Sequence, residues 1–540
     1  MESSNNDIST TETLLPGFGR PLNYYPSEGD QDYVGKAFAT ALGVPGFEAG
    51  GGMLPLLTVR EFMMLRFMNS VTDKLDWNIK VNKPEITAKW KEEALASNHE
   101  DLTEKMIDYC LDELRYRSTL VSILPIRPPP IVVYNGDVVK SDFALSSQFK
   151  EELQEAVKAF EASIPESLKD WHPGSDGKVW DLVHPSLYPL VYGRSKILDN
   201  GQRTTLADCI SQCGQGQTSE VPTEEESIQK SQYFTDTPYS RKFQWLPCEV
   251  DISGDEARIT SYINNLHPHR EQRLYGLLEK LIDASITLWD LTLAPLRHKE
   301  FRHELRIDYT MVEYEKIEGQ DPDAEDEYYS DTWDTQPVIR PEPTSPFAPL
   351  PSPPKFSLRD AYGKRGLQVI VKLANIELTP EKPEYEGGVW HVEGQMNEHI
   401  VATALYYFSN SNITPSSLSF RQWFSYDDTI DIQYEQNKSA WLHPIYGCEQ
   451  DGPAVQNVGG VETQEGRLLT FPNILQHRVG PFKLADPTKP GHRKIVALFL
   501  VDPNIKVIST AHVPCQQQDW WWDNVAEHTS KGIGSLPVEL

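Results

Sequence analysis

The sequence predicts an α+β protein, with a helical N-terminal region packed on a C-terminal half built from strands. Three observations carry that class. Apolar residues recur at helical spacing in several stretches before residue 175. Runs rich in β-branched and aromatic residues dominate after Lys355. Between them lies an acidic and then Pro-rich stretch, 313–354, that cannot bury enough apolar surface to order itself and reads as a flexible insert.

The elements follow in chain order. Residues 1–20 are polar and read as a disordered N-terminus. Residues 21–175 form a mainly helical region, opened by an irregular Gly-, Pro- and Tyr-rich arm. Thr58-x-x-Glu61 is a capping-box pattern, and Phe62, Leu65, Phe67, Met68, Val71 and Leu75 recur behind it at helical spacing. Their Met and aromatic content reads as core rather than as a ligand pocket. Asp101-x-x-Glu104 marks a second helix start, with Met106, Ile107, Cys110, Leu111 and Leu114 on one face. Residues 131–139 read as a hairpin around Asn135-Gly136, and 146–162 as an amphipathic helix with a solvated Glu/Lys face.

Residues 176–312 form a mixed region. His184, before Pro185 in an apolar run, reads as a buried structural histidine. Cys209-x-x-x-Cys213 has no second ligand pair to complete a zinc site. Residues 250–263 read as a hairpin adding outer strands, and Leu274, Leu277, Leu278, Leu281, Ile282 and Ile286 as a helix that braces the sheet. His298-x-Glu300-x-x-His303 lacks the i, i+4 spacing of a metalloprotease helix. From 355 to 540 strands are expected at 368–376, 399–408, 418–424, 466–471, 475–480 and 493–501, and the tail around Trp520-Trp521-Trp522 is expected to pack a helix on them.

The chain has 540 residues, 50 Lys plus Arg against 79 Asp plus Glu, and a formal charge of −29. That length suits more than one domain or one elaborated domain. The charge disfavours general binding to nucleic acid or to an anionic membrane. The six cysteines are scattered, no apolar run is long enough to span a bilayer, and the first residues lack the parts of a signal peptide. The expectation is a soluble cytoplasmic or nuclear protein; oligomeric state is not legible.

The chemistry centres on Trp390-His391-Val392-Glu393-Gly394. Residues two apart on a strand share a face, so His391 and Glu393 would be presented together. With 14 His and 79 acidic residues in the chain, about two His-x-Asp/Glu pairs arise by chance. Of the four such pairs, His391/Glu393 is the one in strand-like sequence. It also has partners downstream: His477, then Arg493 opening the apolar run 495–501. No Gly-x-Ser-x-Gly elbow, His-Glu-x-x-His helix or Walker A loop supports a hydrolase.

This order of His-x-Glu, distant His and Arg resembles the 2-oxoglutarate, iron(II)-dependent oxygenases built on a double-stranded β-helix. Asp181-Leu-Val-His-Pro-Ser-Leu-Tyr-Pro-Leu-Val-Tyr-Gly193, Phe243-Gln-Trp-Leu-Pro247, Ser261-Tyr-Ile-Asn-Asn-Leu-His-Pro268 and Gly388-Val-Trp-His-Val-Glu-Gly394 resemble a fungal family of large uncharacterised proteins whose C-terminal half looks like such an oxygenase. The resemblance implies a jelly-roll or cupin-like core at 355–540, with Fe(II) on His391, Glu393 and His477. It also implies that Arg493 holds the distal carboxylate of 2-oxoglutarate, with Lys494, Arg478 and His492 as competing choices. Glu in place of the commoner Asp keeps the ligand type. The implied reaction couples decarboxylation of 2-oxoglutarate to oxidation of a C–H bond in a small molecule, peptide or protein. The alternative is a cupin-like binding or scaffold protein without turnover.

Overall fold

The computed structural model describes residues 14–41, 56–97, 99–120, 129–134, 138–199, 201–230, 235–297, 305–315, 336–349, 356–424, 429–435 and 438–530. The Asn135-Gly136 turn and the His298, Glu300 and His303 triplet lie outside these residues. Of residues 1–20, 14–20 are described, and Leu15 is buried with Leu22, Leu190, Tyr192 and Leu246.

Helix α1 (Val59–Thr72) starts where expected: Thr58 Oγ1 accepts the Glu61 N–H. The reciprocal half of the box is absent, because the buried Glu61 carboxylate accepts instead from the Arg306 backbone and guanidinium. Helix α2 (Pro84–Ala96) has Pro at its first turn, a start signal the sequence reading passed over. Helix α3 (Glu104–Thr119) is capped by Thr103, not by Asp101. Asp101 lies outside the helix and accepts from Arg340 at 2.8 Å. Residues 336–349 are thus tied down by Arg340 and by Phe347, which packs on Tyr109 and Tyr116.

Strands β1 (Ile131–Tyr134) and β2 (Val138–Ser141) form the expected antiparallel pair. Helix α4 (Ser147–Ser163) buries Phe149, Leu153, Ala156 and Val157. Strand β3 (Val179–Val183) follows, then β4 (Cys248–Asp251) and β5 (Arg258–Ile259), the two arms of the 250–263 hairpin. Helix α5 (Gln272–Arg297) buries a stripe from Leu274 to Leu293 that includes Trp289. Each such side chain contributes about 1.5–3 kcal/mol of burial.

The C-terminal strands are β6 (Leu367–Leu378), β7 (Ile400–Ser411), β8 (Ser417–Trp423), β9 (Val455–Glu462), β10 (Leu468–Pro472), β11 (Gln476–Val479) and β12 (Gly491–Val501). The two-residue pair Glu384–Tyr385 and Phe482–Lys483 was not expected; of the seven longer strands all but β9, whose Gly459-Gly460 weakens the strand signal, were. They form two antiparallel sheets. The larger runs β5–β4–β6–β12–β7–β10–β2–β1, with β3 also on β6; the smaller runs β9–β8–β11 and is extended by a bridge between His391 and His477. In chain order the segments therefore alternate: β6 large, 391 small, β7 large, β8 and β9 small, β10 large, β11 small, β12 large.

Alternation along each strand divides the core. Val369, Val371 and Leu373 of β6, Ala402, Ala404 and Tyr406 of β7, and Val496, Leu498 and Leu500 of β12 pack with α4 and α5. Leu405 and Tyr407, Leu418 and Phe420, Leu469 and Phe471, and Ala497 and Phe499 pack together between the sheets. Helix α6 (Gln518–Ser530) buries Trp520 with Cys209, Tyr262 and Cys515 rather than on the sheets. Among the described residues no helix is long and apolar enough to cross a membrane.

Candidate metal centre

The segment before β7 is set by two glycines. Gly387 lies at φ +95, where an added Cβ would meet the Val479 carbonyl at 2.8 Å; Gly394 lies at φ +67, where it would meet Ile400 Cδ1 at 2.8 Å. Between them the backbones of His391 and His477 exchange two hydrogen bonds, 3.2 Å and 2.9 Å. Asn473 clasps the next turn: its Oδ1 accepts from the Glu393 N–H at 2.9 Å, and its Nδ2 donates to the Glu393 and Ile400 carbonyls. Asn473 was not singled out from sequence; Phe-Pro-Asn at the end of β10 is the only local signal.

These contacts bring His391, Glu393 and His477 together. Glu393 Oε1 lies 3.7 Å from His391 Nε2 and 3.2 Å from His477 Nε2. Burial pushes the Glu393 carboxyl up, but hydrogen bonding to His391 and His477 outweighs it and holds the group well below the usual carboxylate range. Burial drives the His477 pKa down. Phe471 packs on the His477 ring, with centroids 4.8 Å apart.

The tautomer at His391 fits a metal ligand. Its Nδ1 lies 2.8 Å from the Val389 carbonyl, which can only accept, so Nδ1 carries the proton. Nε2 is then the nitrogen that faces Glu393, and a metal would take the place of its proton there, the arrangement by which a backbone carbonyl orients a ligating imidazole. Two imidazoles and a carboxylate suit a divalent iron site that keeps open positions.

A second trio, His172, Asp181 and His184, also has its donor atoms within 4.8 Å of one another. It fails the same test. The Ser186 N–H donates to His184 Nδ1 at 3.2 Å, so in the neutral ring the proton sits on Nε2, the atom facing Asp181 at 3.8 Å. Burial, then Lys372, push the His184 pKa down to about 4, which keeps the ring neutral.

The four candidate cations occupy different places. Lys494 faces outward and donates to Glu161 of α4 at 2.6 Å and 2.7 Å. Arg478 stacks on Trp390 at 4.9 Å. His492 Nε2 meets Ser409 Oγ at 2.9 Å. Arg493 points between the sheets and is 2% exposed. Its Nη1 donates to Ser416 Oγ at 3.2 Å and Thr463 Oγ1 at 3.3 Å, and its guanidinium lies 4.4 Å from the Phe482 ring centre. No described residue accepts from its Nε or Nη2, and no described carboxylate pairs with it. Burial lowers its pKa, yet a guanidinium keeps its charge.

A family model described as a protein of unknown function, DUF4246, matches residues 104–524, and one for the DUF4246 N-terminal domain matches 15–93. The chain belongs to the DUF4246 family. No curated protein matches it. Among solved structures, it is similar to the Fe(II)/α-ketoglutarate-dependent dioxygenase TqaL at 12% identity, covering 68% of this chain and 95% of that one, with a TM-score of 0.23. It is also similar to IDO from Bacillus thuringiensis at 11% identity, covering 26% and 48%, TM-score 0.15. AviO1 from Streptomyces viridochromogenes Tue57 follows at 14% identity, covering 26% and 54%, TM-score 0.14. The chain thus spans about half the length of IDO and of AviO1. Likenesses at these TM-scores do not define its fold or its chemistry.

Proposed function

We propose that this DUF4246 protein is an iron(II)- and 2-oxoglutarate-dependent oxygenase on a double-stranded β-helix. The alternation of segments between two antiparallel sheets supports the fold, since a jelly roll winds its eight strands that way. The ligand tautomer supports the metal. The observation that carries the reading is Arg493, a buried guanidinium with Nη1 tied to two hydroxyls and the Nε–Nη2 edge left without an acceptor among the described residues. That edge is the planar fork that binds a carboxylate in bidentate fashion.

In this reading His391, Glu393 and His477 would hold Fe(II), and Arg493 would hold the distal carboxylate of 2-oxoglutarate. Bound together, iron and 2-oxoglutarate supply an oxidant for a substrate C–H bond, with succinate and carbon dioxide as coproducts. The chain's own work is positioning. The Val389 carbonyl fixes the His391 tautomer, and Asn473 fixes the Glu393 backbone. Phe471 packs on one face of His477, and Phe482 and Tyr407 wall the guanidinium from water. The substrate is a small molecule, a peptide or a protein side chain.

The test needs no known substrate. Anaerobic protein loaded with Fe(II) and 2-oxoglutarate should show the weak visible charge-transfer band of the chelate, and admitted O₂ should yield succinate. His391→Ala and His477→Ala should lose both. Wild-type protein that binds iron stoichiometrically and shows neither signal is a binding protein instead.

A further inference from the structure

A second polar group lies beside the triad and takes no part in holding it. Its centre is Asp181 of β3, whose side chain is 2% exposed. Its Oδ2 accepts from His172 Nδ1 at 2.8 Å, and its Oδ1 faces Lys372 Nζ of β6 at 3.8 Å. That gap is charge attraction without a hydrogen bond.

The register of β6 on β12 shows where Lys372 points. Ile376 pairs with Arg493 and Lys372 with Ala497. Paired residues share a face, as do alternate residues along a strand. Lys372 therefore projects between the sheets on the same side as Arg493, about 13 Å further along the strand. Its side chain is 24% exposed, and its ammonium makes no hydrogen bond to a described residue. Its positive charge is felt at both His391 and His184, and the Glu393 charge is also felt at His184. Lys372 is thus within electrostatic reach of the triad, on the strand face that looks between the sheets.

Asp181 holds Lys372 in place by charge yet leaves its three N–H bonds uncommitted. The side chain is 24% exposed and none of its N–H bonds is taken by a described residue, so an acceptor arriving between the sheets can be met there. We propose that Lys372 binds an anionic group, a carboxylate or a phosphate, carried by the substrate that this site oxidises. The proposal rests on the oxygenase reading and narrows it: the substrate is an acid, held by its charge on the β6 wall while Arg493 engages the cosubstrate. Asp181 and His172 are positioning residues for the ammonium.

Acetate and methyl phosphate serve as probes, titrated into anaerobic protein holding Fe(II) and 2-oxoglutarate. The charge-transfer band reports the surroundings of the metal, and calorimetry of the same titration reports binding without the band. Wild-type protein should respond saturably to at least one probe, and the better one identifies carboxylate or phosphate as the preferred group. Lys372→Met should weaken that response roughly tenfold or more, the loss of one charge-assisted contact. Lys372→Arg should restore most of it, and 2-oxoglutarate affinity should stay unchanged in both variants. A wild-type protein indifferent to both probes overturns the proposal, as does an equal response from Lys372→Met. Loss of 2-oxoglutarate affinity in Lys372→Met overturns it too, by assigning the residue to the cosubstrate. A wild-type protein with no band at all sinks the oxygenase reading. In that case a calorimetric response lost in Lys372→Met upholds the anion subsite by itself.

Discussion

Replacing Arg493 with Met separates what the guanidinium does for a ligand from what it does for the fold. The open Nε–Nη2 edge can form two parallel hydrogen bonds to a carboxylate, together on the order of 3 kcal/mol. Arg493→Met should therefore weaken 2-oxoglutarate binding roughly 100-fold, read as a shift in the midpoint of the charge-transfer titration. The fold should tolerate the change. The variant loses the cation–π contact with Phe482, about 2 kcal/mol when desolvated, but it also removes a buried charge that no described carboxylate neutralises. Ser416 and Thr463 keep the acceptors to which their hydroxyls already donate, the Gly480 and Ser416 carbonyls. Methionine fills much of the space, so thermal unfolding should shift by no more than a few degrees. Two results would refute the reasoning. Unchanged cosubstrate affinity would remove Arg493 from the site, the more so if Arg478→Met lowered it. A collapse in melting temperature would make Arg493 a structural residue.

Lys494→Met should do the opposite, lowering stability by about 1–2 kcal/mol through the broken pair with Glu161 while leaving 2-oxoglutarate affinity alone; urea melts and the same titration distinguish the two. Burial pushes the Glu249 carboxyl up, but its opponents, Lys506 foremost, hold it down at about 2. A depressed carboxyl stabilises the fold above its unfolded value of 4.5. That stabilisation, on the order of 3 kcal/mol, should drain away as pH falls from 4.5 toward 2. Glu249→Gln should be less stable at pH 7 and show a flatter acid limb in urea melts taken across that range. Replacing residues 316–335 by a short Gly/Ser turn should leave the melting temperature within a few degrees. The flanking segments are already closed by Glu315 N–H donating to Pro337 O at 2.9 Å and Ile339 N–H donating to Glu313 O at 2.8 Å; insoluble protein would count against this.

The C-terminal strands were legible because their apolar runs are long and bounded by turns. The opposite facing of Arg493 and Lys494 followed from strand alternation alone. The triad was legible as a composition of ligand types, but the strand expected around 391–393 reduces to one bridge residue at His391, with Glu393 in a bend, and that bridge to His477 supplies the proximity that spacing could not. What escaped was long-range pairing. Nothing near Glu61 announces that Arg306 will take its carboxylate, and nothing near Asp101 announces Arg340. Lys372 was likewise invisible, since one Lys in an apolar run reads as an edge residue until a register shows which neighbour it faces. Helix α2 was missed for a simpler reason: its Lys- and Glu-rich sequence buries little, Thr87 and Trp90 alone.

Glu161 on α4 grips two strands at once. Its carboxylate accepts from Lys494 on β12 and from Asn375 Nδ2 on β6 at 2.7 Å, and those two residues face each other in the register. The adjoining rung is Ile376 with Arg493. A surface helix thus acts as a clasp on the spot where the inward guanidinium is aimed. Lys494→Met leaves the Asn375 half of that clasp in place, whereas losing Glu161 frees both strands. On the oxygenase reading a cosubstrate defect is therefore expected from Glu161, a residue that meets no ligand, and not from Lys494. Transplanting the β12 motif into another scaffold without that helix would carry over the arginine but not its aim.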